Sequence, residues 1–299
     1  MYVGLWSRTR DFERDALTRA LQRRTVVQAT LMRVTIHLVA QRDYWPFAIA
    51  TRQARRASWL RAYRNKVTPQ ELAAAALRVR ERLDEVQTLQ RKELEALVGR
   101  DFAVAVGLWI DLVRVPPSGT WERRRADLFA AAEDWIGPPD VTHEDAVDHL
   151  LRRYLAGFGP AGRADVQSYT GLSQDTIAAS LERLTLRRFR SEDGKELLDV
   201  PRAPLPDPQT PAPVRFLPTW DATLLVHARR TQILPEQYRP RIFSARNPHS
   251  LPTFLVDGAV AGSWRYEEGH IELNAFEPLD CATQRELRDE ADRLAAFHA

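Results

Sequence analysis

Thiols are nearly absent from this 299-residue chain: its one cysteine, Cys281, excludes an intrachain disulfide. A structural zinc site would ask for more thiols or for closely spaced histidine pairs. No stretch nears the roughly 18 unbroken apolar residues of a membrane span. No basic-then-apolar leader opens the sequence, so the expected compartment is the cytoplasm. Lysine is scarce as well, with only Lys66, Lys92 and Lys195 among 43 basic residues. Arginine dominance admits two readings, a GC-rich coding sequence or a surface suited to bidentate phosphate contacts. No Walker loop, G-x-S-x-G or H-E-x-x-H run occurs, so three common catalytic signatures are missing.

What is present is an ordinary globular balance, 44% hydrophobic and 28% charged, which excludes wholesale disorder and fibrous architectures. The net charge is only +3, but residues 1–66 hold 14 Lys/Arg against 4 Asp/Glu. Codon bias does not explain a scarcity of acids, so this basic third points to an anionic polymer, with nucleic acid ahead of membrane. Within it, residues 42–65 read as a helix in which Arg52, Arg55, Arg56, Arg61 and Arg64 alternate with Trp45, Trp59 and Tyr63. Arg52, Arg55 and Arg56 are the expected phosphate contacts.

The order of elements is informative. Residues 11–23 carry a helical apolar face, and the β-branched run 25–39 reads as two short strands. Thr68-Pro-Gln-Glu71 is a helix start. Helices are expected to about Glu85, over Leu89–Val98 and over Phe102–Val113, with strand, turn and strand across Val113–Trp121. Three helices and a hairpin is the winged-helix order. It recurs with helices at Glu144–Leu155, Arg163–Thr170 and Gln174–Leu184 and a hairpin over Leu186–Val200 that turns at Asp193-Gly194. Six prolines stiffen residues 201–213. Short strands follow at Val214–Leu217, Thr223–Leu225, Thr253–Val256, Val260–Trp264 and Ile271–Phe276, then a helix at Gln284–Phe297. The expected fold class is therefore α+β, mainly α: tandem winged-helix modules and a small C-terminal β-barrel. The boundaries are 1–66 (remnant of a first winged helix plus basic helices), 67–138 and 139–200 (second and third winged helices), 201–213 (linker) and 214–299 (barrel or meander with a helix).

Several motifs need weighing. Gly157-Phe-Gly159-Pro-Ala-Gly162 fits G-x-G-x-x-G but follows a helix, and Pro160 removes an amide, so it reads as an inter-helix turn. His143 and His149 are six apart, off the i,i+4 face of a helical metal pair, and are expected to be solvated or capping. Alternation in a strand would put Arg33, Thr35 and His37 on one face, lining a nucleic-acid groove or a solvated edge. Gln174, Asp175, Thr176 and Ser180 would lie on a recognition helix, with Arg187, Arg188 and Arg190 in the wing on phosphates, or the module is a plain interaction module, since its local charge is low. Asp221 and His227, with Arg229 and Arg230, flank an apolar stretch as a DNA contact or a structural hydrogen-bond network.

The sequence resembles the winged-helix DNA glycosylases of the AlkZ type. The resemblance rests on Tyr2-Val-Gly-Leu-Trp-Ser-Arg8, on Leu31-Met-Arg-Val-Thr-Ile-His-Leu38 with Asp43 beyond, and on Gly159-Pro-Ala-Gly-Arg-Ala-Asp165 running into Tyr169-Thr-Gly-Leu172. It continues in Leu217-Pro-Thr-Trp-Asp221 with Leu224-Leu-Val-His227 and Arg230, and in Val256-Asp-Gly258 with Ala261-Gly-Ser-Trp264. It implies tandem winged helices and a β-barrel forming a concave surface that cradles double-stranded DNA, and excision of alkylated or crosslinked bases without metal or diffusible cofactor. His227 and Arg230 are expected among the DNA contacts, and a monomer in use on the bacterial nucleoid is expected. The family pattern has Gly where Val34 stands. Its catalytic Gln-x-Gln or Gln-x-Asp lies just upstream of the Tyr-x-Gly-Leu-Trp stretch, where this chain has only Met1; Gln28 and Gln41 do not match it. The chain as given is expected to bind DNA and to excise poorly or not at all, with its apolar opening Tyr2–Trp6 left exposed. His37 and Asp43 are the fallback catalytic candidates, and a non-catalytic transcriptional regulator is the alternative.

Overall fold

The computed structural model describes residues 1–63, 67–244 and 249–299; Arg64, within the basic helix expected from sequence, lies outside them. The chain divides into two units, a central one (Glu13–Ala203) and a terminal one (Met1–Phe12 with Pro204–Ala299). Residues 1–66, expected to stand together, are thus split between them. The chain opens on α1 (Tyr2–Trp6), which belongs to the terminal unit.

The central unit begins with α2 (Arg14–Gln22), β1 (Val26–Thr30), β2 (Ile36–Ala40) and the long α3 (Gln41–Ala62). It continues with α4 (Pro69–Val86), β3 (Leu89–Gln90), α5 (Arg91–Val98), α6 (Arg100–Ala105), β4 (Leu112–Arg114), β5 (Leu128–Ala131) and α7 (Ala132–Ile136). One five-stranded sheet, ordered β2-β1-β4-β5-β3, runs through all of this, so the segments before and after residue 66 share a sheet. The start of α4 follows from chemistry. The Thr68 hydroxyl accepts from the Glu71 amide at 3.2 Å, the Thr68 amide donates to the Glu71 carboxylate at 2.8 Å, and Pro69 supplies the preset φ of a first turn. Ala75, Val79, Leu83, Leu94, Val106 and Phe129 close the core between these helices and the sheet.

The sequence reading of residues 102–121 is corrected here. The third helix ends at Ala105, and the strand partner of β4 begins at Leu128, not before Trp121. Pro116 and Pro117 have no amide to donate to a ladder. The Ser118 hydroxyl then occupies the amides of Asp127 (2.7 Å) and Leu128 (3.0 Å), and pairing resumes only with Arg114 opposite Phe129.

The central unit ends with α8 (His143–Phe158), α9 (Arg163–Thr170), α10 (Gln174–Arg183), β6 (Arg187–Arg190) and β7 (Glu196–Asp199). Gly171, at φ 74°, closes α9 in the left-handed conformation that glycine adopts cheaply. Ser173 caps α10 by accepting from the Thr176 amide at 3.2 Å. The G-x-G-x-x-G run is the α8–α9 turn, and its Ala161 forms an isolated bridge with Leu198.

In the terminal unit, β8 (Arg215–Leu217) is followed by α11 (Arg239–Ile242), β9 (Phe243–Ser244), β10 (His249–Ser250), β11 (Thr253–Val256), β12 (Ala259–Glu267), β13 (His270–Ala275) and α12 (Cys281–His298). The expected barrel is not closed among the described residues: β13-β12-β11-β8 is an open antiparallel sheet. The stretch 223–225, expected as a strand, belongs to a 3-10 turn, Ala222–Leu224, because the Asp221 carboxylate accepts from the Thr223 amide at 2.9 Å. The apolar opening is not left exposed. Tyr2 is buried, and Val3 joins Val214, Phe216, Phe254, Trp264 and Leu287 in one core.

Gly262 is the tightest point of that sheet. A Cβ there would lie 2.2 Å from Cζ of the buried Phe254 and 2.5 Å from the Asn274 carbonyl oxygen. Gly262→Ala is expected to destabilise the chain by about 1–3 kcal/mol through overpacking, read as a lower denaturant midpoint; an unchanged midpoint would contradict the packing described.

Candidate nucleic-acid interface

The β1–β2 connection carries the sequence candidates Arg33, Thr35 and His37, and their expected strand geometry is corrected by the structure. β1 pairs antiparallel to β2 with Thr30 opposite Ile36, so the residues between must reverse the chain. Arg33 (φ 55°) and Val34 (φ 57°) do so in the left-handed region. The Thr35 amide closes the turn on the Met32 carbonyl at 3.2 Å, and the Leu31 amide donates to the Thr35 carbonyl at 3.0 Å. This is the two-left-handed geometry usually filled by Asn-Gly. In Val34 a β-branched side chain stands there at a cost of about 1–2 kcal/mol.

The turn places Arg33 over the ring of Tyr169 from α9, 4.9 Å from guanidinium carbon to centroid. Its Nη1 is buried with no hydrogen-bond partner among the described residues, and burial holds its pKa below the ordinary arginine value. His37 meets the same ring edge-on at 6.4 Å. Its Nδ1–H donates to the Thr35 carbonyl at 2.9 Å. Burial lowers the His37 pKa to about 4, outweighing that hydrogen bond, and the charges of Arg33 and Arg55 push the same way. At neutral pH His37 is therefore an uncharged imidazole, with Nε2 as its hydrogen-bond acceptor. Thr35 and Ile36 beside it are exposed, Ile36 by 51%. Two stretches far apart in sequence thus converge on one patch: a π-stacked cation, a neutral imidazole and an exposed apolar side chain.

Three arginines of α3, Arg52, Arg55 and Arg56, do something else. Arg55 is only 4% exposed and donates to the carbonyls of Thr30 (2.8 Å) and Ala48 (3.0 Å). Arg52 pairs with Asp111 at 2.7 Å. Arg56 donates to the carbonyls of Leu108 (2.7 Å) and Trp109 (3.3 Å) and lies over the Trp109 ring. These three tie α3 to β1 and to the 108–111 segment, so the expectation that they jointly face phosphates is revised. The signal was in the sequence: Asp43, Phe47, Thr51, Arg55 and Trp59 recur every four residues and form the buried face of α3.

Asp43 lies on that face, 3% exposed. It accepts from His149 Nε2 at 2.8 Å and pairs with Arg153 at 3.2 Å, both on α8. His149 is therefore an inter-helix tie, not a solvated side chain, and Asp43, a fallback catalytic candidate, is buried and engaged by both partners.

On the α8–β7 stretch, Gln174 is exposed at the first turn of α10, its amide donating to Gln167 Oε1 at 2.6 Å. Thr176 is half-buried in the cap, and Ser180 is buried on Asp148 at 2.6 Å. In the hairpin, Arg187 stacks over Phe189 at 5.0 Å, Arg188 pairs with Glu196, and Arg190 is exposed. In the terminal unit, the half-buried His227 and Arg230 follow the Asp221 turn. The buried Asp221 accepts from Arg8, which also donates to the Gly4 carbonyl (2.8 Å) and Thr223 Oγ1 (2.7 Å). Two of the sequence motifs, 213 residues apart, meet in that contact.

A family model of AlkZ-like DNA glycosylases matches residues 1–297. The chain belongs to the AlkZ-like DNA glycosylase family. Its fold is similar to that of Streptomyces sahachiroi DNA glycosylase AlkZ, with a TM-score of 0.75 at 18% identity, covering 96% of this chain and 82% of that one. No curated protein matches the sequence. Among the described residues, no helix is long and apolar enough to cross a membrane.

The depressed His37 pKa has a consequence in acid. The unfolded chain takes up this proton near pH 6.5, the folded chain only near pH 4. Between these values the unfolded state binds more protons, so stability falls as pH drops through the window. His37→Asn is expected to flatten this acid limb, recovering about 1–3 kcal/mol at pH 4 relative to pH 7. Denaturant melts at both pH values check this; an equally steep limb in the variant would contradict the assignment.

Proposed function

We propose that this family member binds duplex DNA and serves base-excision repair of alkylated or crosslinked bases. The observation that carries the reading is the family match across residues 1–297, which spans both units. In this reading, residues 67–138 and 139–200 are tandem winged-helix modules. α10 is the recognition helix, with Gln174 at its exposed first turn and Thr176 beside it, and the β6–β7 hairpin is the wing. The geometry of the hairpin supports this. Arg190 is exposed, Arg188 is exposed on a pair with Glu196 and Arg187 stacks on Phe189, whereas Arg52, Arg55 and Arg56 of α3 are spent on internal carbonyls and a carboxylate. Guanidinium groups at a surface can replace condensed counterions on phosphates. The Arg33–Tyr169–His37 patch offers a neutral imidazole and an apolar side chain, groups suited to base edges and ring faces.

Hydrolysis of an N-glycosidic bond requires an oriented water and stabilisation of a cationic sugar. Of the two fallback residues, both Asp43 oxygens are engaged, whereas His37 offers such a water an Nε2 acceptor that no hydrogen bond occupies among the described residues.

Replacing Arg187, Arg188 and Arg190 together by Gln is expected to weaken duplex binding. It should also reduce the log–log salt slope by about one unit per lost phosphate contact. Fluorescence anisotropy between about 50 and 200 mM salt, on duplexes with and without N7-alkylguanine and with release of the base followed in parallel, checks this. An unchanged slope would remove the hairpin from the interface. Tight, sequence-specific binding by a dimer that ignores the lesion would favour a regulator.

A further inference from the structure

The terminal unit holds an open cleft of about 760 Å³ that none of the DNA-binding candidates lines. Residues 6–12 form one wall, and β8, β11 and α12 contribute the rest. Four guanidinium groups face it, from Arg8, Arg10, Arg215 and Arg293, against two carboxylates, Asp11 and Glu290. Arg8 is fixed by Asp221. Glu290 is 5% exposed and pairs with Arg293, while Arg215 stands 3.9 Å from it and donates to the Val214 carbonyl at 2.8 Å. Its negative charge is therefore more than balanced by the two arginines it orients. Among the described residues Arg10 has no hydrogen bond or ion pair.

The second observation is Ser7. It lines the same cleft at 7% exposure, and its hydroxyl has no hydrogen-bond partner among the described residues. A buried polar atom without a partner is destabilising unless something supplies the bond. An anion with several acceptor oxygens would take the Ser7 O–H, the fork of Arg10 and the oriented Arg215 together. Trp6 and Phe12 also line the space, which gives it aromatic surface next to the charge.

We propose that this cleft is a phosphate-ester site, binding the phosphate of a nucleotide, either free or within a DNA strand, through Ser7, Arg10 and Arg215. The site does not rest on the wing, so loss of the β6–β7 arginines leaves it intact.

Isothermal titration of the full chain with deoxyguanosine 5′-monophosphate, with deoxyguanosine and with a single-stranded oligothymidylate tests the assignment. The monophosphate is expected to bind about tenfold or more tightly than the nucleoside, since a charge-assisted bond contributes that much. Arg10→Gln should remove about tenfold. Ser7→Ala should weaken binding several-fold without lowering the melting temperature, because the lost hydroxyl had no partner in the free chain. If only the oligothymidylate binds, and Arg10→Gln weakens it, the phosphate comes from a strand and the site stands. Equal affinity for nucleotide and nucleoside, or affinities for every probe unchanged by both substitutions, would overturn it.

Discussion

The burial of Asp43 holds the candidate interface together. A carboxylate 3% exposed on α3 is tolerable only if it is paired, and its partners, His149 and Arg153, lie 106 and more residues later on α8. The contact fixes the α3 layer, with its β1–β2 hairpin, against the α8–α10 helices. Only with that layer in place does the turn at Arg33 and Val34 reach Tyr169 on α9. Removing one partner of a buried pair costs more than the pair contributes, because a charge is left behind. The arrangement is thus a device for position more than for net stability.

The arginine content acquires a physical meaning from the same geometry. The basic third of the chain looked like a phosphate-binding surface, yet Arg52, Arg55 and Arg56 are consumed as cross-links inside the central unit. A guanidinium with five donors in a fixed fork can satisfy two backbone carbonyls at once, as Arg55 does for Thr30 and Ala48. Lysine, a point charge on a flexible stem, would not do this as well. Charge counted along a sequence therefore overstates charge available to a ligand. Exposed guanidinium groups include Arg188 and Arg190 of the short β6–β7 hairpin and, in the terminal unit, Arg10 of the cleft beside Ser7.

Local chemistry was readable from sequence. The Thr68 capping box, the Ser173 cap, helix 163–170 and the Asp193-Gly194 turn all stand where residue types and spacings put them. Long-range partners were not readable. Nothing in the spacing links Arg8 to Asp221 or Asp43 to His149, and the assignment of residues 1–12 to the terminal unit depends on such contacts. The Leu31–Thr35 turn was missed for a local reason: β-branched residues argued for strand, while hairpin closure demanded two left-handed residues and took Arg33 and Val34 regardless of propensity. The buried face of α3 was legible in its four-residue repeat, but interleaved tryptophans and arginines read equally well as a binding surface.

In the proposed complex, DNA is met by α10, the β6–β7 hairpin and the Arg33–His37 turn, not by the Arg52–Arg56 face of α3. Hydrogen–deuterium exchange of the chain, with and without a duplex carrying N7-alkylguanine, measures this directly. New protection is expected in Gln174–Arg183, Arg187–Arg190 and 31–37, with the Arg55 turn of α3 unchanged because it is already buried. Protection confined to α3, with the hairpin and α10 exchanging as in the free chain, would contradict it.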